Sequence, residues 1–127
     1  MSIERLEDLR LWQEARVLNK MVYEYTKNFP KEEKYNFRHH MRECSRNTMG
    51  NIGEAFGRFH FQESMQFYRI ARGSINELKS DSYGSFDVGY IEKINAQKLL
   101  KQINLVIKML NQTIKTTPDF KNNSITK

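Results

Sequence analysis

The sequence predicts an all-α fold, an antiparallel up-down-up-down four-helix bundle, and three observations carry that prediction. Apolar residues recur at steps of three and four over four separate stretches, the spacing that gathers them on one face of a helix. Strand-like alternation is absent over any useful length. Glycine and proline together account for only eight of 127 residues, too few turn formers for a β-sandwich. The chain is 39% hydrophobic and 28% charged, which excludes a disordered composition and leaves room for one real core. The expected division is a four-helix domain over residues 1–117 followed by a flexible polar tail over 118–127.

The first helix is read from Leu11, Ala15, Leu18, Val22, Tyr25 and Phe29, with Trp12 and Met21 widening the stripe. Pro30 is expected to end it by disfavouring helical geometry at Phe29. The second carries Phe37, Met41, Cys44, Thr48, Ile52 and Ala55. It starts either at Pro30-Lys31, with proline in the first turn, or later with Asn36 as its cap. A break falls at Gly57-Arg58-Phe59-His60. The third carries Phe61, Met65, Tyr68, Ala71, Ile75 and Leu78, and is expected to fray through Tyr83-Gly84-Ser85-Phe86 towards Gly89. The fourth carries Ile94, Leu99, Leu100, Ile103, Val106, Ile107, Leu110 and Ile114. The polar stretch Thr116–Lys127, with Pro118 near its start, reads as the tail.

The chemistry-bearing residue types offer catalysis no foothold. His39 and His40 are adjacent, about 100° apart on a helix, and do not clamp one ion from one face. No Glu-x-x-His pair, His-Glu-x-x-His motif or second cysteine exists, so no metal site and no cofactor is expected. Cys44, on the apolar stripe, reads as a buried inert thiol, and a lone cysteine suits a reducing compartment. Gly50, Gly53 and Gly57 lack the Lys-Ser/Thr ending of a phosphate-binding loop. The N-terminal residues show no signal-peptide pattern, and no apolar run is long enough to span a membrane. The expectation is a cytoplasmic protein without enzymatic activity.

Charge and glycine placement suggest surfaces instead. The formal net charge is +6. Lys34, Arg38, Arg42 and Arg46 recur every four residues on the second helix, and Lys101, Lys108 and Lys115 every seven on the fourth. Residues 91–127 hold seven basic and two acidic side chains. These ridges are candidate RNA or DNA contacts through phosphate attraction and counterion release, and alternatively ordinary solvated faces. Gly50, Gly53 and Gly57 fall on one side of the second helix, behind its core face, with Gly73 on the third. They are read as close-packing positions, either within the bundle or at a subunit interface.

Four landmarks carry a resemblance. Asp8-Leu9-Arg10-Leu11-Trp12-Gln13-Glu14-Ala15 resembles the opening "DLxVWQxAxxL" of the 23S rRNA-intervening-sequence proteins, and Phe29-Pro30-Lys31-Glu32-Glu33-Lys34 resembles their "FPxEEK" link. Asn51-Ile52-Gly53-Glu54-Ala55-Phe56-Gly57-Arg58 is similar to "NIAEGxGR", with Gly53 and Ala55 in exchanged order. Phe67 to Leu78 is similar to "FxxxARGSxxEL". The landmarks occur in family order. The resemblance implies a left-handed antiparallel four-helix bundle, commonly a ring-like homopentamer, and no enzymatic activity. A related branch serves diversity-generating retroelements as an accessory factor binding nucleic acid and the reverse transcriptase. The expected function is low-specificity nucleic-acid binding by a homo-oligomer. The alternative is a protein-interaction scaffold or accessory factor, for example for a reverse transcriptase. Within these motifs, Asn51, Glu54, Arg58, Arg72, Ser74 and Glu77 are read as one polar network, with Glu54 pairing Arg72 across the second and third helices.

Overall fold

The structure, a computed structural model, describes residues 3–33, 36–58 and 60–116. Lys34 and the expected tail after residue 117 lie outside the described residues. Four α-helices follow in order: α1 (Arg10–Thr26), α2 (Phe37–Phe56), α3 (Phe61–Asp87) and α4 (Lys93–Thr116). Short 3-10 turns at Leu6–Asp8 and Lys31–Glu33 precede α1 and α2. Each helix packs on its neighbours in sequence, and α1 also packs on α4. That closes a four-sided bundle with α2 against α3 as the most extensive interface.

The core is the periodic stripe. Leu11, Ala15, Leu18 and Val22 from α1 meet Met41, Cys44, Ile52 and Ala55 from α2. Met65, Tyr68, Ala71, Ile75 and Leu78 from α3 meet Ala96, Leu99, Ile103, Val106 and Leu110 from α4. Burial of each large aliphatic side chain contributes roughly 1.5–3 kcal/mol relative to exposure. Buried hydroxyls do not break the core, because Thr26, Thr48 and Ser82 each donate to the carbonyl four residues earlier, at 2.7–2.8 Å. Among the described residues no buried side-chain nitrogen or oxygen lacks a partner.

The structure refines the sequence reading at four places near the helix ends. Helix α1 stops at Thr26, not at Phe29. Thr26 takes the buried position expected of Tyr25, and Phe29 reaches the core from the following turn. Of the two starts open for α2, the later one is found. Asn36 makes no side-chain cap, and the Glu33 carboxylate accepts the Phe37 N–H at 3.1 Å instead. Helix α3 does not fray through Tyr83–Phe86 but runs to Asp87. There the Tyr90 and Gly89 amides return to the Ser85 and Phe86 carbonyls, at 2.9 and 3.0 Å. Gly89 sits at φ 83°, so this is a Schellman ending, in which glycine takes the left-handed position at no steric cost. Finally, Ile94 is 55% exposed, and Ala96 occupies the stripe in its place. One end of the bundle is closed by aromatics: Phe29 and Phe37 flank Tyr90, with ring centroids 5.5 and 6.2 Å away. The Tyr90 hydroxyl donates to Glu33 at 2.9 Å.

Candidate functional site

An open groove of about 840 Å³ runs along α1 beside α2. Helical spacing puts Arg16, Lys20, Tyr23 and Lys27 on one side of α1, and α2 contributes Arg42 and Met49. Four cations thus line the groove with one carboxylate, Glu24, which lies 3.8 Å from Lys27. Two guanidinium groups lie over aromatic rings: Arg42 is 4.5 Å from the Tyr23 centroid and Arg16 is 5.7 Å from that of Trp12. Planar cations and aromatic faces in a positively charged groove are the elements that stack bases and attract phosphates. Sequence reading missed Arg16, Lys20 and Lys27. Their 4- and 7-residue steps are visible in the sequence, but nothing there shows that α1 and α2 leave a groove beside them.

The structure separates the expected basic ridges. Arg42 is drawn into the fold. Its Nε donates to the buried Thr26 hydroxyl at 2.9 Å and an Nη to the Tyr23 carbonyl at 3.2 Å. It therefore satisfies one of the last carbonyls of α1 and places a cation at that helix's negative end. Its partners are neutral, so its charge still contributes to the groove. Arg46 is exposed and Arg38 half-buried. Lys101, Lys108 and Lys115 are exposed on the side of α4 away from the core, and no carboxylate pairs with them among the described residues.

The expected polar network is not one network, and Glu54 does not pair with Arg72. Glu54 instead receives Arg58 from its own helix at 2.9 Å, on the surface. Arg58 also lies over Phe67, 5.1 Å from the centroid. Asn51 donates to the Asn47 carbonyl one turn back, at 2.7 Å. Arg72 reaches across to Asn111 of α4 at 3.2 Å. Ser74 lies half-buried on α3. Glu54 and Arg72 point to different neighbours because α3 turns Arg72 towards α4 rather than α2.

The glycine positions divide as well. An added Cβ would meet nothing within 4 Å at Gly50 or Gly73, and only a flexible Leu6 methyl at 3.6 Å at Gly53. Gly57 approaches only its own helix's carbonyls, at 3.7 and 3.8 Å. Close packing within the chain therefore does not account for these four. The glycine that is closely packed is Gly84, where a Cβ would lie 3.1 Å from the Phe37 ring.

Glu77 takes part in a different constellation, on the α2–α3 face. His40 Nδ1 contacts the Asp81 carboxylate, and its Nε2 lies 3.1 Å from Glu77 Oε2. Cys44 Sγ lies 3.6 Å from that Nε2 and 3.8 Å from Glu77. The Asp81 hydrogen bond raises the His40 pKa above its usual 6.5, against the opposing effect of burial, with Glu77 adding in the same direction. Burial, reinforced by these carboxylates and Glu43, pushes the Cys44 thiol up to about 12. This grouping joins His40 and Cys44, four apart on α2, to acidic groups of α3. It fits no two-histidine or paired-cysteine motif, so spacing along the chain does not reveal it.

Comparison with known proteins agrees with the fold. A solved structure from Bacteroides thetaiotaomicron, described as a protein of unknown function from the S23 ribosomal protein family, superposes with a TM-score of 0.75. It is 16% identical, with 84% of this chain and 99% of that one covered. A search of the curated proteins finds no match. The profile described as 23S rRNA-intervening sequence protein matches residues 7–112, which span all four helices except the last turn of α4. With the four landmarks lying inside that match and the bundle they imply present in the structure, the chain belongs to the 23S rRNA-intervening sequence protein family.

Proposed function

We propose that this protein is a non-enzymatic homo-oligomer that binds RNA or DNA through its phosphate backbone, with low sequence specificity. The observation that carries this reading is the α1–α2 groove, where four cations and one carboxylate lie beside Tyr23. The groove offers charge and stacking surfaces but few fixed base-reading groups, which favours backbone over sequence recognition. The lysine ridge of α4 supplies a second, flatter basic face. Family resemblance suggests five copies per assembly, and five charges of +6 would give a ring about +30, a much stronger field than one chain offers.

Fluorescence anisotropy with labelled single-stranded and duplex oligonucleotides tests it. Affinity should fall steeply between about 50 and 200 mM salt. Arg16→Glu with Lys20→Glu should weaken every sequence alike, and Lys101→Glu, Lys108→Glu and Lys115→Glu should lower the salt slope by about one for each phosphate no longer neutralised. Binding indifferent to salt and to both variants would overturn the reading.

One observation favours a protein-binding scaffold as the second reading. Tyr83, Phe86, Val88 and Ile94, around the α3–α4 connection, are 38–57% exposed, and clustered exposed apolar residues mark protein contacts. A partner held there would be released by Val88→Asp with Ile94→Asp and would ignore salt.

A further inference from the structure

The constellation on the α2–α3 face has the composition and dimensions of a metal site. The four side chains come from two helices at fixed positions. His40 and Cys44 are one turn apart on α2, and Glu77 and Asp81 are one turn apart on α3. Three of their atoms, His40 Nε2, Cys44 Sγ and Glu77 Oε2, form a triangle with edges of 3.1, 3.6 and 3.8 Å. Tetrahedral zinc with ordinary bond lengths requires N–O, N–S and S–O separations of about 3.4, 3.6 and 3.6 Å. Cys44 Sγ also lies 3.9 Å from His40 Nδ1, so the thiol sits beside the imidazole, and the Cys44 side chain must turn by more than about 1 Å to meet an ion on the Nε2 lone pair.

The surroundings fit as well as the triangle does. Asp81 accepts a hydrogen bond from His40 Nδ1–H. That fixes the ring and leaves the Nε2 lone pair for the ion, the carboxylate–histidine–metal arrangement common around protein zinc. Asp81 is the more enclosed carboxylate, with its side chain 18% exposed, whereas that of Glu77 is 62% exposed. The ion therefore has an entry path from solvent, past Glu77, to a thiol that is itself buried.

We infer that His40, Cys44 and Glu77 bind a divalent, borderline-soft metal ion of the Zn2+ class, with Asp81 orienting His40 and the fourth position left to water. Thiolate and carboxylate together neutralise the charge of the ion. Binding releases the Cys44 proton to solvent and, where His40 is imidazolium, its Nε2 proton also. A thiolate in the set selects zinc over magnesium or calcium, which prefer oxygen ligands alone. The bound ion would clip α2 to α3.

The test uses the full chain stripped with a chelator and titrated with Co2+, then Zn2+. One equivalent of Co2+ should give the visible bands of a tetrahedral ion and a near-ultraviolet thiolate charge-transfer band, both bleached by Zn2+. Cys44→Ser should abolish the charge-transfer band. Glu77→Gln, at an exposed position that leaves the core intact, should weaken binding at least tenfold. Asp81→Asn should weaken it about 10- to 100-fold while keeping the thiolate band. His39→Asn, beside the site but outside it, should change nothing. The inference is overturned if wild-type protein shows no thiolate band at one equivalent, or if Glu77→Gln and Cys44→Ser bind as the wild type does. The wild-type spectrum decides the matter even if a variant fails to fold.

Discussion

At the scale of single residues, the surface side chains have more committed roles than their types suggest. Arg42 is a basic residue on a basic ridge, yet it works as a clamp, holding the Thr26 hydroxyl and the Tyr23 carbonyl while lying over the Tyr23 ring. Arg42→Ala should destabilise the fold by about 1–3 kcal/mol, since the carbonyl loses its partner and the cation–π pairing goes too. Arg42→Lys should recover little, because an ammonium lacks the fork that reaches both acceptors. Urea melts check both. His40 carries a second prediction, for the chelator-treated protein. Its folded pKa is raised, first by the Asp81 hydrogen bond, so protonation stabilises the fold. That contribution is complete below the unfolded value near 6.5 and is lost as pH rises through the folded value. Stability should therefore fall on going from about pH 6 to pH 8, and Asp81→Asn should flatten that slope.

At the scale of elements, each pair of neighbouring helices is tied by a polar contact in addition to the apolar core. Asn19 accepts from Ser45 at 2.8 Å between α1 and α2, and Asp81 holds His40 between α2 and α3. Arg72 reaches Asn111 between α3 and α4, and Gln102 donates to the carbonyl and side chain of Glu14, both at 2.9 Å, between α4 and α1. Apolar stripes slide on one another at modest cost, whereas these ties fix axial register. Glycines belong to this scale too. Gly50 lies mid-helix with nothing within 4 Å of an added Cβ, so Gly50→Ala should stabilise the chain by about 0.5–1 kcal/mol. Gly89, at φ 83°, should show the opposite sign. Gly89→Ala should cost about 1–2 kcal/mol through the left-handed geometry of the α3 ending. Thermal or urea unfolding of the two variants side by side separates a glycine the backbone needs from one it does not.

At the scale of the whole molecule, the proposed surfaces differ in character. The groove beside α1 and the outer side of α4 are basic, apolar side chains are exposed around the α3–α4 connection, and α2 is open at Gly50. A second copy packed on that open side would give the small residues there a purpose that the single chain does not. Static light scattering should find a homo-oligomer, and Gly50→Leu should shift it towards monomer while leaving the helical signal unchanged. Where Gly50→Leu leaves the assembly intact, the glycine side is not the interface. Nucleic-acid affinity should fall when assembly is lost, since neighbouring copies multiply the field and the number of phosphates engaged.

The sequence by itself determined the helices and most of the core. Burial follows angular position on a helix, and that position is written in the spacing of Leu11, Ala15, Leu18 and Val22 or of Met41, Cys44, Thr48 and Ile52. Even the departures there are local and lie near helix ends: Thr26 is buried in place of Tyr25, and Ala96 in place of Ile94. Tertiary structure alone decided partners. Spacing places Glu54, Arg72, His40 and Glu77 on the flanks of their helices, but which flank meets which depends on how neighbouring helices are rotated and offset along their axes. An offset of one turn, about 5.4 Å, exchanges every polar partner while leaving an apolar stripe apolar. For that reason Arg72 meets Asn111 of α4 and leaves Glu54 to Arg58, four residues along the chain. For the same reason His40, Cys44 and Glu77, from two helices, come within 3.1–3.8 Å of one another.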